Sequence, residues 1–329
     1  MDTIAYGIAN QIPATYVAPE GWNAKSALPV TYYYAAQSTL DDGTVLVTGG
    51  IVPGGATANV LSYDPATNAW TAKTALSIGR YYHGQSTLDD GTVLVTGGMQ
   101  YGGIQMNAVD SYSPVTNSWT AKTSLSATRY LFGQSTLANG TALVTGGFVG
   151  GSSYPSSDVQ TYSRVTNSWT TKTALPQNRA RQTQSTLDDG TALASAGVVG
   201  GGSQTSSVVS YSLATNAWTT KASLNGNRYQ HAQSTMADGT ALVTGGYKNG
   251  TPTADVQSYS RVTNSWTTKV ALPQTLMGQA QSSLADGTAI VTGGLGPGNS
   301  PTADVQQYEP GGTYTIAGRA ELLGYLAAN

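Results

Sequence analysis

All six tryptophans of this 329-residue chain fall at one period: Trp22, Trp70, Trp119, Trp169, Trp218 and Trp266 are 48, 49, 50, 49 and 48 residues apart. Each opens the same phrase, from Trp22-Asn-Ala-Lys25 through Trp70-Thr-Ala-Lys73 to Trp266-Thr-Thr-Lys269. A fixed period of this length marks a repeat array, in which no unit buries its apolar face alone and stacking on neighbours supplies the core. The period overrides the two-domain prior that length alone would give. It predicts one closed body over residues 21–309, with extensions at 1–20 and 310–329.

In the first unit, Ala36-Gln-Ser-Thr-Leu40 meets the turn Asp41-Asp-Gly43, and Thr44-Val-Leu-Val-Thr-Gly-Gly50 follows. After a loop come Asn59-Val-Leu-Ser-Tyr63, the turn Ala66-Thr-Asn68, and a run from Trp70 to Leu76. Short β-rich runs with turn chemistry between them predict four antiparallel strands per unit. The Asp-Gly turn recurs at Gly91, Gly190, Gly239 and Gly287, with Asn139-Gly140 in the third unit. Glycine there supplies the positive φ of a tight hairpin. Inner strands recur at Gln37, Gln85, Gln134, Gln184, Gln233 and Gln281, and Tyr strands at Tyr63, Tyr112, Tyr162, Tyr211, Tyr259 and Tyr308. No Trp follows Tyr308; the missing outer strand stands at the other end of the chain, in Gly21-Trp-Asn-Ala-Lys-Ser-Ala27. The first strand therefore completes the last unit and closes a ring.

Paired glycines end the second strand of five units, at 49/50, 97/98, 146/147, 245/246 and 293/294; the fourth unit diverges to Ala196-Gly197. A Gly pair, then Tyr, then Trp seven residues later resembles the kelch repeat over about residues 21–309. Kelch proteins are β-propellers, so the resemblance implies an all-β, six-bladed propeller of four-stranded antiparallel blades. Trp and the Lys three residues on lie on opposite strand faces. The Trp face is expected to pack against the neighbouring blade, contributing roughly 2–3 kcal/mol per ring. The repeated Lys guards an outermost sheet edge against strand addition.

With 10 % charged residues and a net charge of −2, nothing draws the whole chain toward nucleic acid or a membrane surface. The absence of cysteine removes disulfides, thiol catalysis and thiolate metal sites. Residues 1–20 lack a basic start and an apolar run, so no Sec signal peptide and no membrane span is expected. The expected chain is soluble, and either intracellular or external by a route needing no signal.

The two ends of such a ring differ. One carries the monotonous Asp-Asp-Gly and Thr-Asn turns; the other carries loops of varied length and the blade connections. Recognition tends to reside on loops held by a rigid frame, so the variable end is the expected binding face. Its candidate binding residues are Tyr33, Tyr82, Tyr101, Tyr130, Tyr154, Arg181, Tyr229 and Lys248. Arg and Tyr are favoured at recognition hot spots. Arg80, Arg129, Arg179 and Arg228 share one phase of the repeat and are read instead as ties between blades. A mildly basic face would suit an acidic or sugar-like partner.

Chemistry is sparse. His83 and His231, the only histidines, hold equivalent positions in blades three apart, which argues against a shared metal. The blade connections contain no Asp or Glu, and the Asp pairs 41/42, 89/90 and 188/189 read as hairpin turns rather than calcium ligands. Among kelch-type enzymes, the copper-dependent galactose oxidase family needs a Cys and more His than this chain has. The sialic-acid mutarotase family is similar in blade number, but no carboxylate stands at a non-repeat position to serve it. Kelch adaptors of ubiquitin ligases carry a large additional region for which there is no room. No catalytic residue, cofactor or metal is therefore expected.

Residues 1–20 and 310–329 are expected to be held by the propeller's surface or by protein partners in an assembly, with a short helix over Arg319–Leu326. Low charge, Gly/Ser/Thr richness, no cysteine and no signal are together similar to bacteriophage virion or tail appendage proteins. The leading expectation is thus a non-enzymatic structural or adhesive module. A lectin-like glycan-binding propeller and a mutarotase-like enzyme stand as alternatives.

Overall fold

The computed structural model describes residues 14–316. The hairpin turns fold the chain into six antiparallel sheets whose strands run outward in chain order. In blade 1 these are Ala36–Thr39, Val45–Thr48, Val60–Asp64 and Ala69–Ala72. Blade 6 joins Ala280–Ser283, Ala289–Thr292 and Val305–Glu309 to Gly21–Ala24, the first blade strand in the chain. The register Trp22↔Tyr308 matches Trp70↔Tyr63 in blade 1, so the closing strand sits as a covalently connected one would. The molecule is a six-bladed β-propeller. Among the described residues no helix is long and apolar enough to cross a membrane.

The core lies between blades. Leu40, Leu46, Val60 and Leu76 of blade 1 pack on Val93, Val95 and Tyr112 of blade 2, and equivalent sets recur around the ring. Second strands such as Val45–Thr48 are buried on both faces, which explains their unbroken apolar character. The fourth strand is shorter than the run to Leu76 suggests. It ends at Ala72, after which the Leu76 N–H donates to Ala58 O and the leucine turns back into the interblade core.

Each tryptophan packs against one of these interblade clusters. Each ring tilts against the Tyr of its own blade, with centroids 5.0–5.2 Å apart. Its indole N–H bonds to the neighbouring blade, as in Trp119 Nε1 to Thr74 O at 2.8 Å. The turn Asn completes this joint. Asn117 Oδ1 accepts from the Tyr112 hydroxyl and from the Thr74 amide. Blade 6 has no covalent turn at this point and no such Asn. There Glu20 takes the place, with Oε1 accepting from the Val270 N–H at 2.7 Å and Oε2 lying 3.7 Å from Lys269 Nζ.

Outside the blades, Ala14–Ala18 pairs antiparallel with Gly312–Ile316, so the inner parts of the two extensions bind each other. The segment read as a helix, Arg319–Leu326, lies outside the described residues.

Candidate ligand-binding mouth

The blade connections enter the centre of the ring at the end carrying the long loops. One position in each adopts left-handed backbone: Tyr34, Tyr82, Leu131, Arg181, Gln230 and Gly278, with φ between 53° and 63°. Their amides form a closed circuit. Tyr82 N–H donates to Tyr34 O, Leu131 to Tyr82, Arg181 to Leu131, Gln230 to Arg181, Gly278 to Gln230, and Tyr34 back to Gly278. Five non-glycine residues held in this sparsely populated region are a local cost tolerated because the surroundings over-determine it. The left-handed turn lets each connection satisfy the next while projecting a side chain at the channel mouth. Gly278 is bare because the Tyr34 ring lies where its Cβ would stand.

The residue before each of these also has a fixed task. Tyr33, Tyr81, Tyr130, Ala180, Tyr229 and Met277 bridge to the residue following the Gly pair of their own blade: Ile51, Met99, Phe148, Val198, Tyr247 and Leu295. This places half-exposed aromatic rings around the mouth. Tyr33 meets Tyr34 edge-on, Tyr34 lies 4.3 Å from Tyr82, Tyr130 stacks on Phe148, and Tyr229 leans on Tyr247.

The four arginines of the shared phase are buried and committed. Arg80 Nη2 meets Asp110 at 2.6 Å; Arg129, Arg179 and Arg228 donate to Gly146 O, Ala196 O and Gly245 O. Burial lowers the pKa of each, Arg129 and Arg179 to about 10, so those two remain charged near neutrality. Arg181 is different. Its side chain makes neither a salt bridge nor a hydrogen bond to a backbone carbonyl among the described residues, and its guanidinium lies 5.2 Å from the Tyr229 ring centroid.

The eight candidate residues separate on this frame. Arg181, Tyr154 and Tyr229 converge on one cleft of about 550 Å³ between blades 3 and 4, with Phe148, Pro155, Val198 and Gln204 completing its wall. Tyr82 belongs to the amide circuit, and Tyr33 and Tyr130 to the aromatic rim. Tyr101 is exposed and lies over Gly55, away from the mouth. Lys248 is held by Asp255 at 2.5 Å. Sequence reasoning passed over Tyr34, Leu131, Gln230 and Gly278; their common phase, three residues before the repeated Gln of each inner strand, was the available signal.

The opposite end is closed chemistry. Asp42 Oδ1 accepts from the Thr44 amide and hydroxyl, and the pattern recurs at Asp90, Asp189, Asp238 and Asp286. Asp89 and Asp188 pair with Arg164 and Arg261, which hold their carboxyls below the usual range.

No family model matches the sequence, and no curated protein does. The fold is shared with solved structures. YjhT is similar at a TM-score of 0.71 and 18 % identity, covering 85 % of this chain and 96 % of its own. A fungal alcohol oxidase of the AA5 family in complex with copper is similar at 0.64 and 17 %, covering 88 % and 76 %. The described residues do not fit copper: no three His, Cys, Asp or Glu gather, and both imidazoles are buried and bonded to hydroxyls. The expectation of a structural or adhesive component of a phage virion or tail is corrected here. It rested on composition, and the fold along most of the chain is that of YjhT and the alcohol oxidase. Low charge with abundant Gly, Ser and Thr follows instead from Gly-paired strand ends and a Gln–Ser–Thr lining of the channel.

Proposed function

We propose that this kelch-type propeller binds carbohydrate, through an acidic group on the sugar, in the cleft between blades 3 and 4, and that it does so without turnover. The observation carrying the reading is Arg181, without a salt bridge among the described residues, beside Tyr229 in a cleft whose walls are otherwise aromatic, aliphatic, hydroxyl or amide. A volume of about 550 Å³ falls in the range of small-molecule sites. Aromatic faces supply apolar contact to the C–H faces of a sugar ring, Gln204 supplies an amide, and the guanidinium supplies a fork matched to a carboxylate. Neither a carboxylate nor an imidazole lines the cleft, so the commonest acid–base groups have no counterpart there.

The test is a glycan-binding screen followed by titration of Arg181→Ala and Tyr154→Ala. Losing a charged hydrogen bond of ~1.5–3 kcal/mol predicts roughly ten- to hundredfold weaker binding for Arg181→Ala. Undiminished binding in both variants would sink the cleft. Exchange NMR on the bound sugar then addresses turnover: accelerated anomer interconversion would replace the binding reading with a mutarotase-like one.

A further inference from the structure

Beneath the amide circuit, the next residue of each blade forms a second layer: Ala35, His83, Phe132, Gln182, His231 and Gln279. Its four polar members are each more than nine-tenths buried, and all line a chamber of about 140 Å³ that the mouth residues also line. The hydrogen-bond network fixes what they present. Gln85 Nε2 donates to Leu46 O, a carbonyl that can only accept, so Gln85 Oε1 faces Thr48. The Thr48 hydroxyl must give its one proton to that oxygen, at 2.5 Å. His83 Nε2, 2.9 Å from the same hydroxyl, is therefore the donor, and Nδ1 carries a lone pair.

The same chain of donations runs from Leu193 O through Gln233 and Ser195 to His231. Gln182 and Gln279 donate Nε2 to Thr145 O and Thr244 O, leaving each Oε1 as an acceptor. Four buried acceptors result, and none has a donor among the described residues: His83 Nδ1, Gln182 Oε1, His231 Nδ1 and Gln279 Oε1. Leaving such groups unsatisfied costs about 1–3 kcal/mol each.

We infer that this chamber binds a small neutral polyol, or the hydroxylated arm of a larger ligand, whose O–H groups serve the four acceptors. Cations are the competing partners for these lone pairs, and the surroundings oppose them. Burial, reinforced by Arg80 near His83 and by Arg228 and Arg179 near His231, holds both imidazoles neutral. A metal ion also needs its ligands close together, whereas His83 and His231 stand in blades three apart. At ~30 Å³ per water, the space suits about five waters or a short polyol. The chamber shares Arg181 with the cleft but none of its acceptors, so this inference does not depend on the carbohydrate reading.

The experiment is ¹⁵N NMR of the full-length protein labelled in histidine, titrated separately with glycerol, erythritol, zinc chloride and ammonium chloride. Both rings are expected as the Nε2–H tautomer, with Nδ1 resonances that move saturably with a polyol and stay still with either cation. His83→Phe is a tolerated probe, since Phe132 holds the same place in blade 3. It and Gln279→Met should each weaken polyol binding roughly three- to tenfold, the worth of one hydrogen bond. Static Nδ1 resonances under both polyols mean water only and overturn the inference, as does a response to zinc or ammonium. Polyol affinity unchanged in both folded variants overturns it too. Loss of glycan binding in Arg181→Ala with an intact polyol response would separate the two sites.

Discussion

At the scale of single residues, the two histidines couple this fold to pH. Burial, reinforced by Arg80, lowers the His83 pKa to about 3, and His231 is pushed down by burial and by Arg228 and Arg179. In the unfolded chain both take up a proton near pH 6.5. Between about 6.5 and 3 the unfolded state thus binds more protons, and stability falls as pH falls. Melting temperature measured from pH 7 to 4 should decline, with a shallower slope in His83→Phe; equal slopes would refute the linkage. The glycine pairs give a second residue-scale expectation. Gly97 has φ 56°, and a Cβ there would stand 2.5 Å from Arg129 O. Gly97→Ala should cost about 2–4 kcal/mol from left-handed strain and the clash together. Ala196 occupies the equivalent place at φ 52°. Ala196→Gly should stabilise by about 0.5–1 kcal/mol, the relief of strain less the entropy of glycine. Chemical denaturation reads both, and opposite signs are the expected result.

Among elements, the closing strand is where the ring is weakest in covalent terms. Five blades carry a Tyr–Asn–amide joint within a continuous hairpin, as at Tyr63 with Asn68 and Tyr211 with Asn216. The sixth substitutes a carboxylate from the strand's own N-terminal flank, and burial, with Glu20 beside it, raises the Tyr308 pKa. Glu20→Ala removes a charged acceptor from the exposed Val270 amide, a loss of about 0.5–1.5 kcal/mol. Faster hydrogen exchange at Val270 and through Gly21–Ala24 than in other outer strands is the expected signature. Uniform loss of protection across all blades would show that closure and the remaining blades open together. The Ala14–Ala18 and Gly312–Ile316 ribbon continues this pairing outward.

For the whole molecule, sixfold repetition sets a frame and departures from it set the chemistry. The Gln–Ser–Thr belt is nearly identical in every blade: each Gln Nε2 donates to the preceding blade's Ser hydroxyl and to a strand carbonyl. Such a belt holds the ring together but offers no direction to a ligand. The mouth and the layer beneath it break the symmetry, with Arg181 on one side and Gly278 yielding to Tyr34 on another. That imbalance is why the cleft between blades 3 and 4 is the place to test binding.

The fold was readable in the chain because its determinants are local and repeated: the Trp period, the Asp-Gly turns and the displaced outer strand specify blade number and closure through short-range turn chemistry. The arginine phase was readable for the same reason, since a residue repeated in register serves the frame. The amide circuit, the freedom of Arg181 and the four unmatched acceptors were not. Each depends on atoms from different blades meeting at one axis: Arg181 differs from Arg179 only in facing the mouth instead of the carbonyl of Ala196, and His83 is an acceptor only because Leu46 orients Gln85. Separations of tens of residues along the chain become hydrogen-bond distances only once the ring has closed.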